Sequence, residues 1–524
     1  MTDQLTVKIE PAGVPPRLHK QTADALPRSA ALRPHLAKAD HRLVSFQLLE
    51  PTRKTAKPQE LDRYRATYYD YTNNRAIHAE GRLGAPGAPT VTVSQRQPRP
   101  SPEEFDEAVK IVRRHKELGP ALRAGNLEPY RPMPPLVETP LPDGTVERIV
   151  TVGLRPSGRR KTPAHEIVGV NMIRRRVERY LAGAPATSLA TSGLCGVPNG
   201  ANQATTGQGV PGQAWVSVYQ GATLLWRFLV VRPSSSSGTS GSGVELRYVD
   251  YRGKRVLYQA HVPILNVLYD GNACGPYRDW QYTEGMIQAA GQNVAPGFML
   301  CPQPAKTILD TGSDVGTFLG TAIYVDGQEV VLVCELEAGW YRYISEWRLH
   351  ANGTIKPHFA FDATSSSCVC NKHHHHVYWR LDFDIRTAGG NAVHEFNDPP
   401  IVGRSNWDLK AVELMRLRDA AHKRYWRVTQ ASSGAGYDIV PGANDGTAAG
   451  DPYAVGDLWV LRWHPGELDD EPAPSTRIHI DTFKNGESIV GEDVVVWYGA
   501  HFTHDVLGPP VNHVVGPTLV PHAW

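Results

Sequence analysis

Four consecutive histidines, His373 to His376, are the feature of this chain most suggestive of chemistry. They run into Val377-Tyr378-Trp379-Arg380-Leu381-Asp382-Phe383-Asp384-Ile385, an aromatic and β-branched segment that reads as a strand. Alternate residues of a strand share a face, so His373 and His375 project one way and His374 and His376 the other. Two imidazoles at i and i+2 can chelate one metal, and a third ligand must then come from elsewhere. Neutral imidazole suits copper, zinc, iron and nickel alike, so histidines alone do not choose the metal. The non-functional alternative is a solvated polar loop with hydrogen-bonded histidines.

Other candidates are fainter. Cys368-Val369-Cys370 lies just before the histidines and is a candidate for a soft metal or a redox sensor, the two being too close in sequence for an easy mutual disulfide. Leu309-Asp310-Thr311-Gly312-Ser313 has the look of an aspartic-protease signature, but without a second copy it reads as a turn. His358, His513 and His522 read as structural or exposed. The six cysteines stand at 195, 274, 301, 334, 368 and 370. The polar, proline-rich segment from Met1 to Lys20 lacks the apolar core of a signal peptide. The expectation is therefore a cytoplasmic protein with mostly reduced thiols.

Bulk composition narrows the partners. Lys plus Arg total 55 and Asp plus Glu 53 in 524 residues, a balance that argues against nucleic acid as a partner. No stretch approaches the roughly 18 consecutive apolar residues of a spanning helix, so no membrane partner is expected. Gly (48) and Pro (42) are plentiful, which suits strands and turns rather than helical bundles.

Local patterns along the chain outline the scaffold around the histidines. Residues 1–40 read as an N-terminal arm or tail. Residues 41–135 read as a small α+β domain: strand-like runs at 42–49, 64–71 and 90–94, then a helix opened by Ser101-Pro102-Glu103-Glu104. There Ser101 caps, Pro102 fits the first turn and Glu104 completes a capping box. Residues 136–212 read as a proline-rich linker and the start of the catalytic region, with a strand at 148–154 and a short helix at 172–181. From 213 to 524 the chain reads as short strands and turns, the size of a large antiparallel β-sandwich. Its Ser/Gly/Thr-only stretch, 234–243, reads as a flexible hairpin loop. The fold class is thus mainly β, a large sandwich preceded by a small α+β domain.

Three segments then carry a family resemblance. His375 is followed five positions on by Arg380 and then by Asp382. Asp493-Val494-Val495-Val496-Trp497 is followed seven positions after the tryptophan by His504. Gly339-Trp340-Tyr341-Arg342-Tyr343 precedes Gly353-Thr354-Ile355. Together these resemble the copper amine oxidases. The resemblance implies copper held by His373, His375 and His504. A shifted register, His374 with His376, needs a one-residue gap, and His501 is the alternative third ligand. It implies Tyr341 as the tyrosine that such enzymes oxidise to topaquinone, and Tyr269 as the residue hydrogen-bonded to that ring. Trp340 and Arg342 replace an asparagine and an acid of the family pattern. The indole is expected to fill volume through which the ring turns, and the guanidinium to favour an oxyanion.

After Arg278-Asp279-Trp280-Gln281 the family's catalytic aspartate is missing, and Glu284 is the nearest carboxylate. Asp382, Asp384 and Asp493 match a peripheral calcium-type site. The implied function is oxidation of a primary amine by O2 in a homodimer. Two alternatives remain: a copper enzyme activating O2 without a quinone, in a biosynthetic pathway, and a non-catalytic metal-binding member. The chain is shorter than typical members, as though one N-terminal domain were absent.

Overall fold

Alternating apolar residues drive most of this chain into two large sheets packed face to face. The computed structural model describes all residues except 1–3, 15, 50–52, 56, 59–60, 86–88, 132–145, 157–165, 180–194, 199, 201–211, 271–275, 449, 471–477 and 507–513. Among the described residues one sheet has ten strands and the other thirteen. In the first, the long strand Lys254–Tyr269, the histidine strand His373–Phe383 and the C-terminal strand Val494–His504 lie side by side, all antiparallel. The second carries the consecutive antiparallel strands Glu329–Ala338, Tyr341–His350 and Ile355–Ala363. Their facing side chains form one core, in which Leu265, Val377 and Leu381 meet Leu332, Tyr343 and Phe361. The expected antiparallel β-sandwich is the observed architecture.

A two-residue hairpin loop sets the position of Tyr341. Ala338 pairs with Tyr341, so Gly339 and Trp340 alone make the turn, and Gly339 adopts φ +60°. Such tight hairpins require positive φ, which glycine supplies without steric cost. Tyr341 thereby begins its strand next to the turn.

The N-terminal half departs from expectation. The arm is ordered: Leu5–Ala12 adds to the edge of the ten-stranded sheet against Gln213–Gln220. Among the described residues, two small α+β units precede the sandwich, where one was expected. The first is the sheet His41–Leu48, Arg63–Asp70, Arg75–Arg82 and Thr90–Ser94, packed on Leu26, Leu32 and Leu36. The second packs the helix Pro102–Arg114 on Leu127–Tyr130, Ile149–Pro156, Glu166–Asn171 and Arg176–Glu178. Its capping box, Ser101 with Glu104, is present as expected. The boundary at 135 therefore falls inside the second sheet, and the proline-rich stretch 132–145 lies outside the described residues. The helix expected at 172–181 does not form at its start. Asn171 Oδ1 instead accepts from the N–H groups of Ile173 (3.1 Å) and Arg174 (2.8 Å). That Asx-type turn sends the chain into Arg176–Glu178 as a strand.

The Ser/Gly/Thr stretch is also corrected. Ser237, Ser240 and Ser242 are buried. Ser237 N–H donates to Glu245 Oε2 at 2.6 Å, and Gly241 lies where a Cβ would come within 2.9 Å of Tyr282. Small residues here permit close packing rather than flexibility.

Candidate metal centre

The register of three strands assembles the histidines. His373 lies opposite Tyr269 on one side and His504 on the other. Residues directly opposite in a sheet share a face, so His504 joins His373 and His375 on the core side. His373 and His375 are fully buried and His504 is 8% exposed. His373 Nδ1 is 2.6 Å from Asn371 O, which places its N–H there and leaves the Nε2 lone pair directed inward. His373 Nε2 is 3.2 Å from His504 Nδ1, within the roughly 2.9–3.4 Å expected for two imidazoles on one ion with bonds of about 2.0–2.1 Å. The His375 ring centroid is 5.0 Å from that of His373 and is flanked by Phe361 (4.3 Å) and Phe502 (5.1 Å). Three buried imidazoles brought together by neighbouring strands make a donor set that fits an ion such as copper, and equally zinc, iron or nickel.

The alternative histidines occupy the other face. His501 and His504 are three residues apart, so alternation puts them on opposite sides. His376 Nδ1 is 3.1 Å from His501 Nδ1, and His501 Nε2 is 3.1 Å from Asp457 Oδ1. His374 contacts Thr503 (2.9 Å) and Asp270 (3.2 Å). These three histidines line a cavity of about 590 Å3 with Asp451 and Thr447.

From the opposing sheet, the Tyr341 hydroxyl meets His373 Nε2. Tyr343 stacks on Tyr341 with centroids 5.3 Å apart, and Tyr269 stacks on His373 at 4.7 Å. The Trp340 indole N–H donates to the Tyr269 hydroxyl at 2.9 Å. Burial raises the pKa of Tyr269, Tyr341 and Tyr343 well above the usual phenol range. Arg342 does not face the phenol. Alternation turns it to the other side, where it pairs with Asp314 at 2.9 and 3.1 Å.

The carboxylate of this cluster is Asp279, which sequence reading passed over. It is fully buried, accepts a hydrogen bond from the Tyr343 hydroxyl, and is pushed well above the usual carboxylate range by burial. Its neighbour Arg278 faces the other way, toward Asn266 (3.0 Å) and Asp470. The available signal was an acid flanked by Arg and Trp in a segment already singled out. Glu284, the expected carboxylate, is elsewhere engaged. Both of its oxygens are bound by Arg232, one by Nε at 3.0 Å and the other by Nη2, in a pair with almost no exposure.

The three aspartates do converge. The ligand atoms of Asp382, Asp384 and Asp493 all lie within 4.8 Å of one another. Among them sits the Lys54 ammonium, 2.9 Å from Asp384 Oδ1, 2.7 Å from Asp493 Oδ1 and in contact with Asp382. An ammonium in that position leaves no room for a calcium ion, so the residues present do not fit one. The thiols also differ from expectation. Cys195 is joined to Cys370 across 175 residues, Cys368 is disulfide-bonded as well, and Cys301 and Cys334 are buried free thiols. Neighbouring cysteines that cannot bond each other can each bond a distant one, a pairing invisible in sequence. Cys274 lies outside the described residues, as does His513.

No family model matches this chain, and no curated protein matches it. Solved structures do. A copper-containing benzylamine oxidase from Hansenula polymorpha is 12% identical, with 100% of this chain and 98% of that one covered at a TM-score of 0.60. The lysyl oxidase of Pichia pastoris is 11% identical, covering 99% and 92%, with a TM-score of 0.58. An amine oxidase of Aspergillus nidulans is 13% identical, covering 100% and 90%, with a TM-score of 0.55. The sandwich that brings these histidines and tyrosines together therefore has the fold of the copper amine oxidases.

Proposed function

We propose that this chain is a copper-dependent oxidase of primary amines, converting amine, O2 and water to aldehyde, ammonia and hydrogen peroxide. The observation that carries this reading is the Tyr341 hydroxyl on His373 Nε2, inside a set of three buried imidazoles. His373, His375 and His504 would hold the copper, which supplies one-electron chemistry toward O2. Tyr341 is the residue whose oxidation to topaquinone would provide the carbonyl that amines attack. Asp279 takes the proton-handling role in place of Glu284, because its carboxyl faces the tyrosines through Tyr343 while that of Glu284 is committed to Arg232. Tyr269, held by the Trp340 indole, positions the hydroxyl end of the cluster. The rings of Phe361 and Phe502 wall the site on either side of His375. The active form is proposed to be a homodimer, checked by light scattering at micromolar concentration.

One observation favours a second reading, copper chemistry on O2 with Tyr341 unmodified. Trp340 is buried against Tyr269 and immediately precedes Tyr341 in the tight turn. The same indole and the Tyr269 hydroxyl act by hydrogen bonding on the Tyr341 hydroxyl, which favours a phenol held in place. Phenylhydrazine titration of copper-loaded, aerated protein separates the two. A visible adduct that Tyr341→Phe abolishes supports the quinone enzyme. An unmodified Tyr341 by peptide mass, with no adduct, overturns it in favour of the second reading.

A further inference from the structure

Asp382 and Asp384 share the outer face of the histidine strand and its extension, and Asp493 stands just before the neighbouring strand, where Phe383 pairs with Val494. Three carboxylates so close repel one another strongly unless a cation sits among them. Lys54 supplies it. An ammonium has three N–H donors, and here each finds a different carboxylate. Its side chain is 6% exposed, and the rings of Tyr258 and Trp463 flank the nitrogen at 5.0 and 5.2 Å. Aromatic faces beside an ammonium add cation–π attraction and shut out water.

Lys54 comes from far away in the chain. It lies between His41–Leu48 and Arg63–Asp70 of the first small unit, 328 residues from Asp382. The contact is therefore a tie between that unit and the outer face of the sandwich. A hard divalent cation would use the same oxygens at about 2.3–2.6 Å. It cannot share them with a positive nitrogen already 2.7–2.9 Å from two of them. The two occupants are mutually exclusive.

We infer that Lys54 is a built-in cation: its ammonium takes the place of a divalent ion in the Asp382–Asp384–Asp493 cage, fastens the first α+β unit to the sandwich without metal, and its removal turns the cage into a calcium site. This is independent of any chemistry at the histidines, and calcium, a hard ion, does not read out the imidazole site.

The experiment compares the full-length wild type with Lys54→Met by thermal unfolding and calcium titration calorimetry. The wild type is expected to show no calcium binding and no shift of melting temperature with calcium or with chelator. Lys54→Met is expected to melt lower, to bind one calcium with a dissociation constant of about 10⁻⁵–10⁻³ M, and to regain its melting temperature as calcium is added. Asp493→Asn placed on top of Lys54→Met should abolish both binding and rescue. Calcium binding by the wild type overturns the proposal, because the ammonium would then not exclude the ion. So does a Lys54→Met protein that melts like wild type, or one that melts lower yet neither binds nor responds to calcium. If Lys54→Met does not fold without calcium, folding in its presence supports the proposal. Failure to fold in both conditions, with Lys54→Arg folding normally, overturns the calcium-site half and leaves the wild-type titration to decide the other.

Discussion

The two faces of the histidine strand carry opposite solutions to one problem, how to gather ligand groups inside a protein. On the core face, His373 and His375 join His504, a set of imidazoles that are neutral when they ligate and can stand together without a counter-ion. On the outer face, Asp382 and Asp384 join Asp493, and their charges are answered from within by Lys54. Neutral donors can wait for a metal. Charged donors must be compensated as the chain folds, and a lysine held in the same chain does so at every metal concentration. Dependence on an external ion is therefore expected on one face and not on the other.

The strongest challenge to that contrast is His504→Ala. It should reduce bound copper from one equivalent to near zero by elemental analysis, whereas Lys54→Met should retain its copper. Copper retained by His504→Ala would end the assignment of the core face.

Next come the two buried carboxylates near the tyrosines. Asp279→Asn should lower kcat by about 10²–10⁴-fold with copper content unchanged, the loss typical of removing a proton-transfer group. Glu284→Gln should act on stability instead, costing about 3–5 kcal/mol in denaturant unfolding because Arg232 is left buried without its partner charge. Interchanged phenotypes would return the proton-handling role to Glu284.

The core face is also held covalently near its start. Cys370 lies three residues before His373 and is bonded to Cys195. Cys370→Ser should lower stability by about 2–5 kcal/mol, measured by urea unfolding. Unchanged stability would mean that strand pairing alone secures the start of the histidine strand.

The last effect is in pH. Burial, reinforced by the charge of Asp382, pushes Asp493 up to about 8, and burial pushes Asp384 up to about 6. Both lie above the ordinary carboxylate value, so the folded state binds more protons than the unfolded one between about pH 4 and 8. Their contribution is present at low pH and is lost as pH rises through the folded-state values. Stability should therefore fall as pH rises from about 5 to about 9, and Asp493→Asn should flatten that slope. A slope unchanged by Asp493→Asn would place its origin elsewhere.

Legibility in the sequence varies by residue. The pairing of His373 with His375 follows from a period of two, and the choice of His504 over His501 follows from the same parity once Val494–His504 is known to be the neighbouring strand. Asp279 is missed because the family pattern directs attention to an acid further along its segment. Only the fold shows that Arg278 and Asp279 point to opposite sides, one to Asp470 and the other to Tyr343. The serine-rich stretch misleads for a related reason. Composition cannot distinguish small residues that permit motion from small residues that permit contact.

Amino-acid order alone sets the local periodicities: which residues alternate, where Ser101 and Glu104 cap a helix, where Gly339 allows a tight turn. These depend on backbone geometry within a few residues. The partners are settled only by the folded chain, Lys54 with acids more than 300 positions away, Glu284 with Arg232, Cys195 with Cys370. Those pairings depend on strand register and on which surfaces meet after folding. A charged or reactive side chain carries no mark in the sequence of which distant group will answer it.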